Sequence, residues 1–371
     1  MVVVRTAGSV VSFEGRRGVR RRWAVVVGLA LVGSVACLAG PVGADVAAPV
    51  RSSASFVSGG LGYVPLSAPC RAVDTRVNGG AFGPDVLRAY QIAGSGNLSA
   101  QGGASAGCGI PDGVDAVQAT FTATGPTANG YVRAFAKVDP PVVPNATLLN
   151  YTAGRSISNS AKVPLRTAAG TQDLYVKNFG GTTQIVIDIL GYFRPTTGAD
   201  YVALGTPCRA LNTVGTVAGP LPGGAARAYR IAGPGLTAQG GPAGGCIPDG
   251  VAAAEISVTV VSPTANGYLQ VGPNSGSPGA LSTILNYTSG TAITNTAAVA
   301  LSDASPADLV VQNNLATAQV VIDVHGYYTL TTPGTRFQTV TPCRVLNTAA
   351  VGGAAGTGSR LGAGVTRTLQ V

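Results

Sequence analysis

QIVIDILGYF, at positions 184–193, returns at 319–328 as QVVIDVHGYY. In the first copy Ile185, Ile187 and Ile189 alternate with Val186, Asp188 and Leu190. In the second, Val320, Ile322 and Val324 alternate with Val321, Asp323 and His325. A period of two places each set on one face of a β-strand. The first set is wholly apolar and β-branched, so it is expected to face a core. The second set carries a carboxylate and exchanges Leu for His, so it is expected to be only partly covered. A strand this apolar on both sides belongs in the middle of its sheet.

The landmarks around this strand repeat as well. YVPLSAPCRAVDT (63–75), CGIPDGV (108–114), GPTANGY (125–131) and LLNYTAG (148–154) precede the first copy. YVALGTPCRALNT (201–213), CIPDGV (246–251), SPTANGY (262–268) and ILNYTSG (284–290) precede the second, and a third copy opens with FQTVTPCRVLNT (337–348). An offset of 138 residues from Cys70 to Cys208 suits a whole domain, not a solenoid unit. The expected organisation is a signal peptide at 1–44, a flexible lead-in at 45–60, repeats at 61–196 and 197–330, and a partial third repeat at 331–371.

Within the first repeat, turn signals about every ten residues divide short strands at 63–66, 86–93, 116–124, 130–137, 147–151, 159–166, 173–179 and 184–193. No stretch of the mature chain shows a capped 3.6-residue period. The predicted fold is therefore all-β: tandem antiparallel β-sandwich domains with one disulfide each and a truncated third copy. Asn129-Gly130 is expected to form a hairpin turn joining 116–124 to 130–137. The short connector 194–200, containing Pro195, predicts limited bending between the domains.

The formal net charge of +9 is concentrated at the N-terminus, where six arginines stand against Glu14 within residues 1–44. The remainder has no Lys/Arg cluster, which excludes a nucleic-acid footprint. Arg16 to Arg22 form a basic n-region before the apolar run 23–40, and Val42-Gly43-Ala44 suits a signal peptidase. The expected protein is secreted, extracellular or on the cell surface, with no membrane span once the signal is cleaved. A retained anchor is the alternative, since the run approaches the length of a span.

Cys70 and Cys108, like Cys208 and Cys246, are 38 residues apart. Equal spacing in both copies of an exported chain predicts one disulfide per repeat. Two cysteines without matching histidines cannot complete a zinc site. No metal and no cofactor is expected. Cys343 is left over, its counterpart partner falling past Val371.

Three aspartate positions are shared by the copies: Asp112/Asp249, Asp173/Asp308 and Asp188/Asp323. Asp112 sits in a Pro-Asp-Gly turn, and Asp173 reads as a solvated turn residue. Asp188, inside an apolar strand, needs a partner, and an arginine matches a carboxylate best. Structural pairs Arg71–Asp188 and Arg209–Asp323 are predicted. A calcium site would need Asp74 as a second ligand, and its counterparts are Asn212 and Asn347. The only histidine, His325, aligns with Leu190, so no catalytic site can be built twice, and an enzyme is not expected. Tyr131/Tyr268, Tyr151/Tyr287 and Tyr192/Tyr327 recur in both copies; they are expected to close the ends of the core, ring in and hydroxyl out, with ligand stacking at Tyr131, Tyr268, Tyr151 and Tyr287 as the alternative.

These motifs resemble a repeat of exported bacterial proteins, read as PCRxxDT, CGIP, GY, LNY and VIDxxGYF. The resemblance covers 63–193, 201–328 and 337–371; the chain departs from it at Cys246-Ile247 and at Asn212 and Asn347. The family occurs in tandem or appended to secreted hydrolases and implies no assigned activity. The expected function is non-catalytic: cell-surface display, adhesion or spacing, with a surface glycan or protein as partner. The alternative is a carbohydrate- or cell-wall-binding accessory region of a larger exported hydrolase.

The third copy supplies only two strands, FQTV and TRTLQV, which alone bury too little apolar surface to offset their ordering, so the fragment is expected to be flexible or to borrow an edge of the second domain. Limited proteolysis of the 45–371 chain should cut first between Gly334 and Gly364, and Cys343 should react with maleimide without denaturant. Protection of both would contradict this reading.

Overall fold

The computed structural model describes residues 60–94, 96–166, 172–275, 281–303, 306–340, 348 and 362–366. The signal segment, nearly all of the lead-in, Cys343 and most of the partial third repeat lie outside the described residues.

The first repeat contains β1 (Gly62–Asp74), β2 (Leu87–Tyr90), β3 (Ala116–Thr124), β4 (Gly130–Ala136), β5 (Leu149–Tyr151), β6 (Ile157–Pro164), β7 (Leu174–Gly180) and β8 (Gln184–Arg194). The second contains β9 (Asp200–Asn212), β10 (Ala226–Tyr229), β11 (Ala253–Val261), β12 (Gly267–Pro273), β13 (Ser282–Tyr287), β14 (Ile293–Ala300), β15 (Leu309–Asn314) and β16 (Gln319–Thr329). Each repeat is a sandwich of two four-stranded antiparallel sheets. The orders are β1-β8-β3-β6 over β2-β7-β4-β5, and β9-β16-β11-β14 over β10-β15-β12-β13. The doubly apolar strands β8 and β16 lie inside their sheets, each between the first strand of its repeat and the third. Ile185, Ile187 and Ile189 are fully buried in the core of the first sandwich.

The connection after β3 is not the hairpin expected from Asn129-Gly130. β3 and β4 belong to opposite sheets, so the turn carries the chain across the sandwich. Nor is Gly130 in the left-handed region. It opens β4, and a Cβ there would collide with the Tyr151 ring and the Phe179 carbonyl. Gly267 stands in the same relation to Tyr287 and Asn314. The Asn-Gly pair therefore serves packing: Asn129 Oδ1 accepts the Ala153 N–H at 3.0 Å, and the glycine lets the tyrosine ring of the LNY motif pass.

The second face of β8 is covered more completely than expected. Val186, Asp188 and Leu190 are all buried, and Leu190 belongs to the core of the second sandwich. Leu190 and its counterpart His325 are extra residues at β-bulges, which turn their side chains outward. What covers this face is the edge of the second repeat formed by β13 and β14, with Glu255 of β11 beside them. Ser158 bonds Asn286 at 2.6 Å, Arg155 bonds Thr288 at 2.9 Å, and Lys162 pairs with Glu255 at 2.9 Å.

The connector is hydrogen-bonded to the first strand. Tyr63 and Ala199 exchange two backbone hydrogen bonds of 2.9 and 2.7 Å, and residues 53–341 form one compact unit. The head of the third copy is hydrogen-bonded to both earlier ones, Thr335 pairing with Tyr201 and Phe337 with Leu61.

Gly130→Ala should cost about 2–3 kcal/mol, since the obstructing atoms include backbone. Gly154→Ala, with φ +70 and open space around it, should cost only about 1–2 kcal/mol of strain. Urea unfolding of the two variants checks the order; a smaller loss at Gly130 would contradict the packing role.

Candidate functional site

Arg71 follows the disulfide cysteine on β1 and lies opposite Asp188 on β8. Its Nε donates to Oδ1 at 2.8 Å and its Nη2 to Oδ2 at 3.3 Å, a two-pronged pair. Arg209 and Asp323 repeat it at 2.9 and 3.1 Å. Their surroundings differ: the Asp188 side chain is 6% exposed, that of Asp323 27%. Asp74 joins the first pair, accepting from Arg71 at 2.9 Å and from Arg76 at 2.6 Å. Burial pushes its carboxyl up, but the bonds and charge of Arg76 and Arg71 outweigh this and hold it below the ordinary value. Asn212 can replace Asp74 because the turn needs only one acceptor: Oδ1 takes the Val214 N–H at 3.0 Å, as Asp74 takes that of Arg76 at 3.1 Å. The threonine that follows is buried and ties the strands together. Thr75 accepts the Ile185 N–H at 2.9 Å and Thr213 that of Val320 at 2.8 Å. Among the described residues no cluster of three or more His, Cys, Asp or Glu could hold a metal ion.

The disulfides are Cys70–Cys108 and Cys208–Cys246, with Cα atoms 5.5 and 5.6 Å apart. Each ties the first strand of its sandwich to the loop carrying the CGIP or CIP motif. Their presence is consistent with an extracellular protein.

Asp173 is not a solvated turn residue. It is buried, and its two oxygens accept the N–H groups of Ile92 and Ala93 at 2.9 and 2.7 Å. Asp308 does the same for Ile231 and Ala232, both at 2.8 Å. Burial raises both carboxyls, that of Asp173 to about 6, against the pull of the donors. A second latch went unread in the sequence, although AQGG stands in both copies. Gln101 Nε2 bonds the Ala72 and Gln91 carbonyls, both at 2.8 Å, and Gln239 does likewise at Ala210 and Arg230.

Two of the four candidate stacking rings are withdrawn from ligands. Tyr151 and Tyr287 are buried, with hydroxyls pointing inward to Asn178 and Asn313 at 2.6 Å. Tyr131 and Tyr268 lie on the outer face of the β4 and β12 sheets, in unlike company. Across β4 and β7, Tyr131 opposes Phe179, Arg133 opposes Lys177, and Phe135 opposes Tyr175. Tyr131 and Phe179 stack at 4.6 Å with 13° between planes. The Arg133 guanidinium and the Lys177 ammonium lie 4.8 and 4.7 Å from the Phe179 ring. In the second repeat Tyr268 opposes Asn314 and Gln270 opposes Gln312, so the face has neither the paired rings nor the charge. Arg88 does not add to it, as its guanidinium binds the carbonyls of Gly79, Gly80 and Ala81. Paired rings beside two cations suit an acidic sugar polymer, ring on ring and carboxylate on cation. The sequence signal was there: alternate residues 131, 133, 135 and 175, 177, 179 are aromatic, basic, aromatic.

His325 meets Ser257, Nε2 to Oγ at 2.6 Å, and Ser257 also contacts Thr296 at 2.9 Å. The nearest acid along the strand, Asp323, is held by Arg209. The serine stands on β11, which pairs with β14 on one side and β16 on the other.

No protein-family model and no curated protein matches the chain. A chain in the atomic structure of Sulfolobus turreted icosahedral virus is similar at 11% identity and a TM-score of 0.16, over 74% of this chain and 61% of that one. This chain thus spans less than two thirds of its length, and a likeness so slight says nothing of role.

Asp188→Asn should destabilise by about 2–3 kcal/mol, tempered by the half-exposed Arg71, and Asp323→Asn by less than about 1. Equal losses in urea would show that cover by the second repeat is not what makes the pair matter. A carboxyl raised from 3.8 to about 6 favours the protonated native state, so its contribution is full below pH 4 and lost as pH rises through 6. The loss is up to about 3 kcal/mol. Stability of Asp173→Asn between pH 4 and 7 should lack this slope; an unchanged slope would contradict the assignment.

Proposed function

We propose that the chain is a non-catalytic extracellular scaffold for cell-surface display, adhesion or spacing. One observation carries this reading: the connector is hydrogen-bonded into the first strand, and the second sandwich seals the outer face of the first, so the two repeats hold a fixed spacing. A flexible binding array would leave that face and the connector free. No helix among the described residues is long and apolar enough to cross a membrane.

A second reading rests on the ring-and-cation face of the first repeat. There an accessory domain would hold an acidic cell-wall polysaccharide, Tyr131 stacking on a sugar ring while Arg133 and Lys177 meet its carboxylates.

Dyes at Val77 and Val217, both exposed, should give one narrow transfer-efficiency peak for the 45–371 chain. A broad distribution would end the spacer reading. Calorimetry with acidic and neutral polysaccharides separates the two readings. The scaffold reading expects no saturable heat, whereas binding abolished by Lys177→Ala would favour the accessory domain.

A further inference from the structure

Tyr63, Tyr201 and Phe337 hold the same place at the head of the three copies, with Leu61, Ala199 and Thr335 two residues before them. Tyr63 pairs with Ala199, Tyr201 with Thr335, and Phe337 with Leu61, each through two backbone hydrogen bonds of 2.7–3.0 Å. The first head joins the second, the second joins the third, and the third joins the first. Two sandwiches thus generate a closed cycle of three equivalent segments. Head-to-tail contacts close into rings only when the rotation between copies divides the circle.

The aromatic rings obey the same rule. Tyr63 packs between the closing aromatic of its own copy, Phe193, at 4.9 Å and that of the next, Tyr328, at 4.7 Å. Tyr201 packs on its own closing ring, Tyr328, at 5.1 Å, and Phe337 on Phe193, the next in the cycle, at 4.7 Å. Between Tyr201 and Phe337 lies a cavity of about 390 Å³, bordered also by Tyr328, Phe193 and Thr335. Under the rule, this is where the closing aromatic of a third sandwich belongs.

The open faces match what the existing contact has already buried. The outer face of β8, β3 and β6 carries the hydroxyl pairs Thr120–Ser160 and Thr122–Ser158 at 2.8 and 2.7 Å, internally satisfied and covered by the second repeat. The equivalent face of β16, β11 and β14 carries Ser257–Thr296 and Thr259–Thr294 at 2.9 and 2.8 Å, in solvent. On the other side, Asn286 is half-buried against the first sandwich, while Asn150, its counterpart on the β5 edge, is exposed. Gln118 takes the place of Glu255, the acceptor of Lys162. It is buried, and its Oε1 has no partner among the described residues.

We propose that these two sandwiches are two thirds of a closed three-sandwich ring, and that the outer face of the second repeat and the β5/β6 edge of the first together seat a third copy of the repeat, begun at Phe337. A second molecule cannot take that seat. With either of its fused repeats there, the other falls on a place that the first molecule already fills.

The test extends the chain after Val371 with the sequence of residues 232–328, completing the third copy, and follows maleimide labelling at Thr296→Cys and Asn150→Cys separately. Both positions should label readily in the unextended chain and roughly tenfold more slowly in the extended one. With the Cys343 disulfide formed, unchanged rates, or protection at only one position, would overturn the ring. Should that disulfide not form, amide exchange in the 45–371 chain decides. Leu61 and Phe337 should exchange as slowly as Tyr63 and Ala199, and exchange at unstructured rates would overturn the proposal.

Discussion

The pairing of the first strand of each repeat with its last is the constraint on which the rest depends. β1 lies against β8 and β9 against β16, so each sandwich ends beside the point where it began. The next copy must therefore start at the same place, and the chain advances by rotation about its own starting point. Three features repeated in both copies serve this seam within the chain. The arginine after the cysteine clasps the aspartate of the last strand, and the threonine of DT or NT accepts from its backbone. The glycine of GYF or GYY also has a task. A Cβ at Gly191 or Gly326 would strike the Tyr63 or Tyr201 ring, which lies across the closing strand. Burial and the neighbouring Glu255 push the Tyr63 and Tyr328 hydroxyls far up, so both remain neutral donors at the junction.

Much of this was legible because strand alternation and disulfide spacing are local signals. Three-sided burial is not. Period two correctly assigned Ile185, Ile187 and Ile189 to the core. It could not show that Val186, Asp188 and Leu190 meet another sandwich, since a half-covered and a fully covered sheet face differ in their partner rather than in their pattern. Asn129-Gly130 misled for a related reason. The same dipeptide supplies a positive φ in hairpins and a missing Cβ in close packing, and only the ring of Tyr151 distinguishes them. Asp173 was misread because a buried carboxylate bonded to two backbone N–H groups leaves no charged partner in the sequence to find. Tyr151 is buried ring-in, and its hydroxyl points inward rather than out because an asparagine 27 residues away accepts from it.

Duplication makes the chain its own control. Equivalent residues occupy two environments, and their chemistry follows the environment. Where the outer face is covered, the bulge residue is Leu190; where it is open, it is His325, bonded to Ser257. Gln118 on β3 lies opposite Lys162 on β6, but that ammonium pairs with Glu255, the counterpart of Gln118 on β11, and the Gln118 Oε1 has no partner among the described residues. The ring-and-cation ladder likewise occurs only on the first repeat, across β4 and β7, in the sheet opposite the one whose face the second repeat covers.

That separation of surfaces has a chemical basis in the first sandwich. Its outer faces are chemically unlike: β8, β3 and β6 offer short hydroxyl pairs that satisfy one another and can be buried without stranding a donor, whereas β4 and β7 offer long aromatic and cationic side chains. Burying the second kind would strand charge, and exposing the first costs nothing. The hydroxyl-paired face therefore repeats from copy to copy while the β4/β7 face diverges. Tyr268, Gln270 and Gln312 stand where Tyr131, Arg133 and Lys177 stand one repeat earlier, on a backbone paired in the same register.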